Sequence, residues 1–454
     1  MLSFSSLFKL RVVDLYHHSG LSRQTALLDK YHPISPYFFE EVYVSALAID
    51  LHEDVSAARD GILKFAEQEI LPRHAEYQTF FEDPREMYEE DGKFSETLQS
   101  LIRDVRESSA KAGFYQMCVP EALGGGGLGH IAYYAAWQAL FHRCGPKNWL
   151  MLYSLAHWAF GPSKLLEQIT DEALAKVMPG LLDGSKSMCF GLSEPNAGSD
   201  ASMIKTKATR DGDGWRINGR KIWTTNAPIA DYCVIFAVTN PGLSVATKSG
   251  ITAFLVPTDT PGFTVQRIIK LFGHIGGDEA ELAFDNLYVE PWQVVGEIDN
   301  GFAAALYGVS LGRIYNSARA VGYGRWSLEL ALDYAKTREA FGSAIADYQG
   351  VSFPLAESAT ELHAAHLMGI NAAMLLDQGK PAVKELSMAK TYSVKAGYAA
   401  VDQAMQTHGA MGFTNEIGLV EAWHALRIVN VADGTNEILN RTIAQRLFKG
   451  DVGL

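Results

Sequence analysis

Residues Cys189 to Asp200 read C-F-G-L-S-E-P-N-A-G-S-D, and the fold of the whole chain turns on this stretch. Gly191 and Gly198 let the backbone approach a ligand, Pro195 and Asn196 favour a turn, and Ser193 and Ser199 supply hydroxyl donors. On local chemistry alone the peptide is a strand-to-loop transition, suited to a bound phosphate or flavin or serving as an ordinary structural loop.

Outward from this loop the chain has three textures. Upstream, residues 46–186 read as a helical domain, with A-A-R-D-G-I-L-K-F-A-E-Q-E-I-L and L-Q-S-L-I-R-D-V-R-E-S-S-A spacing apolar residues three and four apart. The run A-L-G-G-G-G-L-G-H, Ala122 to His130, lacks the Lys-Ser/Thr of a phosphate-binding loop and reads as a helix-connecting turn. Downstream, residues 187–298 read as a β domain, a barrel or sandwich. Asp213-Gly214 and Asn218-Gly219 are hairpin signals, and Y-C-V-I-F-A-V, I-T-A-F-L-V and L-A-F-D-N-L-Y-V are strands. Residues 299–454 read as a helical bundle, in which Leu355, Ala359, Leu362 and Ala365 share one helical face. Residues 1–45 form an N-terminal extension of unassigned role. Lys9 and Arg11 among large apolar residues allow a targeting or membrane-contact segment, but Asp14 and the missing cleavage signal favour a docking segment.

Composition narrows the function. A chain of 454 residues exceeds one hydrophobic core, and 48% hydrophobic with 20% charged residues excludes disorder. A net charge of -13 argues against nucleic acid as the main partner. Cys118, Cys144, Cys189 and Cys233 are scattered without a C-x-x-C pair, which predicts no metal site and a reducing compartment, the cytoplasm or, in a eukaryote, the mitochondrial matrix. No apolar run reaches the roughly 18 residues of an integral membrane segment.

Helix, β, helix, with this loop at the first junction, resembles the acyl-CoA dehydrogenases from about Ala46 to the C-terminus. G-L-S-E-P-N-A-G-S-D, Gly191 to Asp200, is similar to the family's first signature at every defined position. The second signature is partial: Gln406, Gly409, Gly412, Phe413 and Glu416 fit, Ala410 replaces a glycine, and Glu421 and Ala425 depart from the usual charges. The resemblance implies a three-domain fold of N-terminal helices, middle β domain and C-terminal four-helix bundle, with FAD as cofactor. Phe190, Leu192, Ser193, Gly198 and Ser199 then line the flavin, and Trp223 and Thr225 in K-I-W-T-T-N cover it and donate near N5. Arg338 and Phe341 in R-E-A-F-G correspond to residues that reach the FAD of a neighbouring subunit, and Gln406, Gly409 and Ala410 line the same dinucleotide. Thr435 and Glu437 stand at further FAD positions. A homodimer or homotetramer is thus implied.

The implied reaction is α,β-dehydrogenation of an acyl-CoA thioester to the trans-2-enoyl-CoA. A base removes the α-proton while the β-hydrogen passes as hydride to flavin N5, and electron-transfer flavoprotein is the expected acceptor. Asp433 in V-A-D-G-T-N-E-I matches the base position, where most relatives carry Glu. The position used by another branch is Gly312, which has no side chain. Ser199, Arg313 and Gly434 match substrate-ordering positions, whereas Ser310 replaces an Asp that contacts CoA in some relatives. Ala432, in the place of a common Tyr, and Gly312 together predict a wider acyl pocket. The Asp-for-Glu exchange also keeps a nitroalkane oxidase-like reading open. Further alternatives are an acyl-CoA oxidase, a relative of the module joined to a phosphotransferase, and a flavin-free scaffold.

Overall fold

Helices precede and follow one sheet in a computed structural model that describes residues 51–243 and 249–453. The extension 1–45, with the docking role read for it, lies outside the described residues. The first helical layer comprises α1 (Glu53–Phe65), α2 (Glu96–Ala112), α3 (Gly129–Cys144) and α4 (Asp171–Leu182). Ser95 caps α2 by accepting from the Leu98 amide, Leu98, Leu101, Ile102 and Val105 bury one face, and Gly113 at φ 88° ends the helix. By contrast α3 is buried continuously from Ala132 to Phe141, as befits a helix surrounded by protein. The glycine run before α3 is the helix-connecting turn expected of it. Its amides are used internally, Gly125 donating to Pro120, Gly126 to Gln116 and Gly127 to Val119, and no phosphate cradle remains.

The strands are β1 (Met188–Gly191), β2 (Lys207–Asp211), β3 (Gly214–Thr224), β4 (Tyr232–Val238), β5 (Ile251–Pro257), β6 (Phe263–Ile268), β7 (Ala280–Val289) and β8 (Val294–Val295). They form one sheet in the order β6-β7-β3-β2-β4-β5-β8, with β1 added parallel to β4. The three hydrophobic runs are β4, β5 and β7 as expected. The hairpin signals divide. The β2–β3 turn closes on Gly212 and Asp213, with Asp211 opposite Gly214. Asn218-Gly219 is no hairpin; it lies within β3 at a register shift against β7. There a Cβ on Gly219 would sit 2.4 Å from Thr206 Oγ1, so the glycine serves a bulge pressed against a neighbour.

The last layer holds α5 (Gly301–Thr337), α6 (Gln349–Asp377), α7 (Val383–His408), α8 (Leu419–Val429) and α9 (Asn436–Phe448). α5 packs against α3, α6 and α7. A Cβ on Gly397 of α7 would lie 2.3 Å from the Ala320 carbonyl oxygen of α5, so glycine permits the close crossing of these two helices. On α6 the buried face is Leu355, Ser358, Leu362 and Ala365; Ala359 is exposed, which corrects the expected stripe by one residue. The substitution of a serine is tolerated because Ser358 Oγ donates to the Pro354 carbonyl at 2.9 Å. Among the described residues no helix is long and apolar enough to cross a membrane.

Candidate active site

The turn between α8 and α9 carries Asp433 and Gly434, both in the left-handed region at φ 54° and 96°. Aspartate tolerates that region better than most residues, yet the backbone there still has to be held. Lys390 Nζ on α7 donates to the Gly434 carbonyl at 2.9 Å, and Arg313 Nε on α5 donates to the Asp433 carbonyl at 3.4 Å. Thr435 caps α9, its hydroxyl accepting from the Ile438 amide at 3.3 Å. These ties turn the Asp433 side chain onto α5, where Asn316 Nδ2 donates to Oδ2 at 2.7 Å. Gly312 lies beneath it: a Cβ at that position would be 2.3 Å from Asp433 Oδ2.

This placement overturns one expectation. The absence of a side chain at Gly312 does not widen an acyl pocket, because the Asp433 carboxylate fills that space. Ala432 is exposed and adds nothing to the enclosure. Burial raises the Asp433 carboxyl to about 6, against the Lys390 and Arg313 cations and the Asn316 hydrogen bond, which all favour the ionised form. Burial likewise lowers Lys390 to about 8, although Asp433 opposes the shift. The site therefore holds a carboxylate poised to gain or lose a proton near neutrality. Ser310 donates to the Leu306 carbonyl on its own helix at 2.9 Å.

The Cys189–Asp200 loop stands near the same helix. The Phe190 ring is 5.1 Å from Trp158, and Trp158 abuts Gly308, one turn before Gly312. A buried ion pair fastens the loop: Lys221 Nζ donates to Glu194 Oε1 at 2.9 Å and to the Leu192 carbonyl at 3.0 Å. The other acceptor sites of Glu194 take the Lys205 and Thr206 amides at 2.6 and 2.9 Å. Burial alone would raise the Glu194 carboxyl, but the Lys221 ammonium and these donors outweigh it and hold it below its ordinary value. The Ser193 carbonyl accepts from the Ile222 amide at 3.0 Å, joining the loop to K-I-W-T-T-N. Beyond these ties Gly198 and Ser199 are exposed.

These surroundings fit a flavin dinucleotide. Trp223 is 56% exposed at φ 60°, a large aromatic held outward on strained backbone, and next to it the buried Thr224 hydroxyl has no partner among the described residues. Thr225 is partly buried beside them. Behind the Asp433 turn, a cleft of about 680 Å³ is lined by Lys395, Arg427, Thr435, Asn436 and Glu437, among others. In its wall Thr391 Oγ1 and Asn436 Oδ1 are buried and, among the described residues, unpartnered, so the cleft offers both cations and free polar atoms to a phosphate-bearing ligand.

Arg338, Phe341, Gln406, Gly409 and Ala410 are not part of this gathering. Phe341 and Gly409 have positive φ, 50° and 60°, and all five are exposed, Phe341 at 99%. They cluster at the opposite end of α5, where Tyr334 stacks on His408 at 4.5 Å. Arg338 follows Gly312 by 26 residues on α5, about 39 Å at 1.5 Å per residue. One chain thus keeps the two groups apart. Sequence reasoning missed Lys221, Glu194, Asn316 and Lys390; the signal available was a lysine in an alternating strand and another on an apolar helix face, each a charge with no place in a core unless paired.

Family models describe the same three parts. "Acyl-CoA dehydrogenase, N-terminal domain" matches residues 52–185, the middle domain 189–287 and the C-terminal domain 299–448. The chain is 36% identical over 337 residues to the mitochondrial short-chain specific acyl-CoA dehydrogenase of Homo sapiens, covering 74% of this chain and 80% of that one. It is 33% identical over 361 residues to the caffeyl-CoA reductase-Etf complex subunit CarC of Acetobacterium woodii, covering 80% and 92%. The structure of butyryl-CoA dehydrogenase from Megasphaera elsdenii superposes with a TM-score of 0.75 at 26% identity, covering 88% of this chain and all of that one. With fold and sequence in agreement, the chain belongs to the acyl-CoA dehydrogenase family, FAD-dependent oxidoreductases acting on acyl-CoA.

Proposed function

We propose that Asp433 is the base of an acyl-CoA α,β-dehydrogenation. The observation that carries the reading is the Asp433 carboxylate, raised toward neutrality and docked over Gly312 by Asn316. Asn316 occupies Oδ2, so Oδ1 takes the α-proton. The thioester loses one proton to Asp433 and one hydride from its β-carbon, which leaves the trans-2-enoyl-CoA. Bound FAD supplies the hydride acceptor. Phe190, Leu192, Ser193, Gly198, Ser199, Trp223 and Thr225 form its flavin wall, Thr435 and Glu437 hold it at the α9 start, and Ser199, Arg313 and Gly434 order the substrate. Arg313 carries its charge partly buried beside the base, where it steadies the negative charge that develops as the proton leaves.

Arg338, Phe341, Gln406, Gly409 and Ala410 complete the dinucleotide site of a second copy, so the working unit is a homodimer or homotetramer. The distance along α5 supports this sharing, because one chain does not bring both groups to one ligand. Similarity to a subunit of an Etf complex supports electron-transfer flavoprotein as the electron acceptor. The four thiols are free, in keeping with a reducing compartment.

Anaerobic titration of the FAD-loaded protein tests the reading. CoA esters bleach the flavin and nitroalkanes do not; bleaching by nitroalkanes alone would replace the acyl-CoA reading with the nitroalkane oxidase one. Reoxidation of the bleached protein by electron-transfer flavoprotein, and only slowly by oxygen, separates dehydrogenase from oxidase.

A further inference from the structure

The helix that begins at Asp433 is held by polar ties at both of its ends. Of the 13 residues of α9 Leu439 alone is buried, and α7 is its principal neighbour. A helix without an apolar stripe gains little from packing, so its place depends on other contacts. At its start the contact is Lys390 Nζ of α7 to the Gly434 carbonyl. At its far end Gly450, at φ 88°, closes the helix, with the Asp451 amide donating back to the Arg446 carbonyl. There a second lysine of α7 takes hold. Lys384 Nζ donates to Asp451 Oδ1 at 2.8 Å, to the Asp451 carbonyl at 3.0 Å and to the Gly453 carbonyl.

This second contact is too complete for an incidental surface pair. The Lys384 side chain is 1% exposed and stands second in α7, where the positive end of the helix dipole disfavours a cation. Its three protons have three acceptors, and Glu385 Oε1 lies a further 3.4 Å away. Asp451 Oδ2 accepts from Arg446 Nε of α9 at 3.0 Å, so one carboxylate joins the two helices. Their mutual hydrogen bond raises Lys384 and lowers Asp451 from their ordinary values, which keeps both charged at neutral pH.

We propose that Lys384 and Asp451 are positioning residues for the base: by fixing the far end of α9 they keep Asp433 seated over Gly312 and against Asn316. Between base and helix lie two left-handed residues, Asp433 and Gly434, joined to α7 through the Gly434 carbonyl. A rod of 13 residues, about 20 Å long, can pivot on that bond once its far end is released. Asp433 lies close to the pivot, so a swing of the free end reaches the carboxylate reduced to about 1 Å, enough to slow proton transfer and to admit water. Neither residue touches substrate or flavin in this role. The inference rests on the reading of Asp433 as the base of an acyl-CoA dehydrogenation.

The test follows single-turnover bleaching of the FAD-loaded full chain against pH, with saturating butyryl-CoA or, where it bleaches faster, octanoyl-CoA. Lys384→Met lowers the limiting rate about tenfold, and Asp451→Asn, which keeps a side-chain oxygen but not the charge, lowers it several-fold. Both variants move the midpoint of the profile below that of the unaltered protein. A carboxylate reached by water loses part of the burial that raises it to about 6. Combining the two changes slows bleaching no further than Lys384→Met alone, since the residues act as one clamp. Asp451 is partly exposed, so Asp451→Asn decides the matter if Lys384→Met does not fold. Unaltered rate and midpoint overturn the proposal. So does an equal loss at every pH with a fixed midpoint and earlier melting, the result for a clamp that only holds the fold. Both of these leave Asp433 as the base. Failure of every CoA ester to bleach the unaltered protein is a different result, which removes the acyl-CoA reading and this inference with it.

Discussion

The two ends of α5 are built on opposite terms. Near Gly312 the chain completes its own arrangement: Asn316, Arg313 and Lys390 hold the Asp433 turn from two helices, and the missing Cβ of Gly312 makes room for the carboxylate. About 39 Å further on, past Arg338, the side chains stand exposed, Phe341 at 99% with only the edge of the Tyr348 ring beside it. An enclosed end can set a proton affinity, because burial removes the water that would level it. An open end sets nothing by itself and depends on what arrives. On the proposed reading, proton transfer and cofactor capture are separated along one helix, and changes at each end should fail in different ways.

The largest effect belongs at the enclosed end. Asp433→Asn lowers the rate of flavin bleaching by CoA esters by about 10⁴-fold, the upper range for loss of a general base, without loss of bound FAD. The same change stabilises the fold. A carboxyl raised from 3.8 to about 6 binds more protons folded than unfolded between those values, so its contribution to stability falls as pH rises through that window and stays lost above it. Asn carries no charge, and the melting temperature at pH 7 should rise by a few degrees, with no such gain at pH 3. A variant that loses turnover and melts earlier at pH 7 would mean that Asp433 is a structural anion. In the unaltered protein, bleaching rates should climb through about pH 6 as the base ionises.

Gly312→Ala comes next. Its Cβ, 2.3 Å from Oδ2, has to push the carboxylate off α5, and a displacement near 1 Å costs roughly 10²-fold in rate. FAD content should not change. A rate within a few-fold of the original shows that the carboxylate has a second productive position.

The open end predicts a different signature. Arg338→Ala and Phe341→Ala leave the melting temperature of the FAD-free protein unaltered, because neither side chain is packed in its own chain. Arg338→Ala weakens FAD retention by about 10- to 100-fold, the span expected for one charge-assisted contact to phosphate. Equilibrium dialysis with FAD reads the loss, and bleaching at saturating FAD is restored. Unaltered FAD affinity in both variants would remove this end from the cofactor site and with it the reason for a shared assembly.

The contrast also explains what could be read from sequence. The Cys189–Asp200 motif and the three textures disclosed the fold because turn chemistry and hydrophobic period are local properties. The position of Asp433 was legible through its frame, Gly434 and Thr435. Its environment was not: Asn316 and Lys390 lie 117 and 43 positions away, and only the close crossing of α5 and α7 at Gly397 and Ala320 brings both helices to one turn. Asn218-Gly219 was misread for the same reason. The dipeptide reports a demand for unusual backbone, and only the neighbour, Thr206, decides whether that demand is a hairpin or a bulge.

The smallest expected effect is the most discriminating one at the enclosed end. Asn316→Leu fills similar volume and removes the donor to Oδ2. That donor favours the ionised form, so its loss moves the Asp433 carboxyl above its present value of about 6, and the pH profile of bleaching shifts to higher pH. At pH 8, where the base remains largely ionised, the rate changes by only a few-fold, because the Arg313 and Lys390 ties to the turn's carbonyls are untouched. A merely structural asparagine would give the converse, a uniform loss at every pH with no movement of the midpoint. Shift without loss therefore separates control of the proton from upkeep of the fold, the distinction on which the contrast between the two ends of α5 depends.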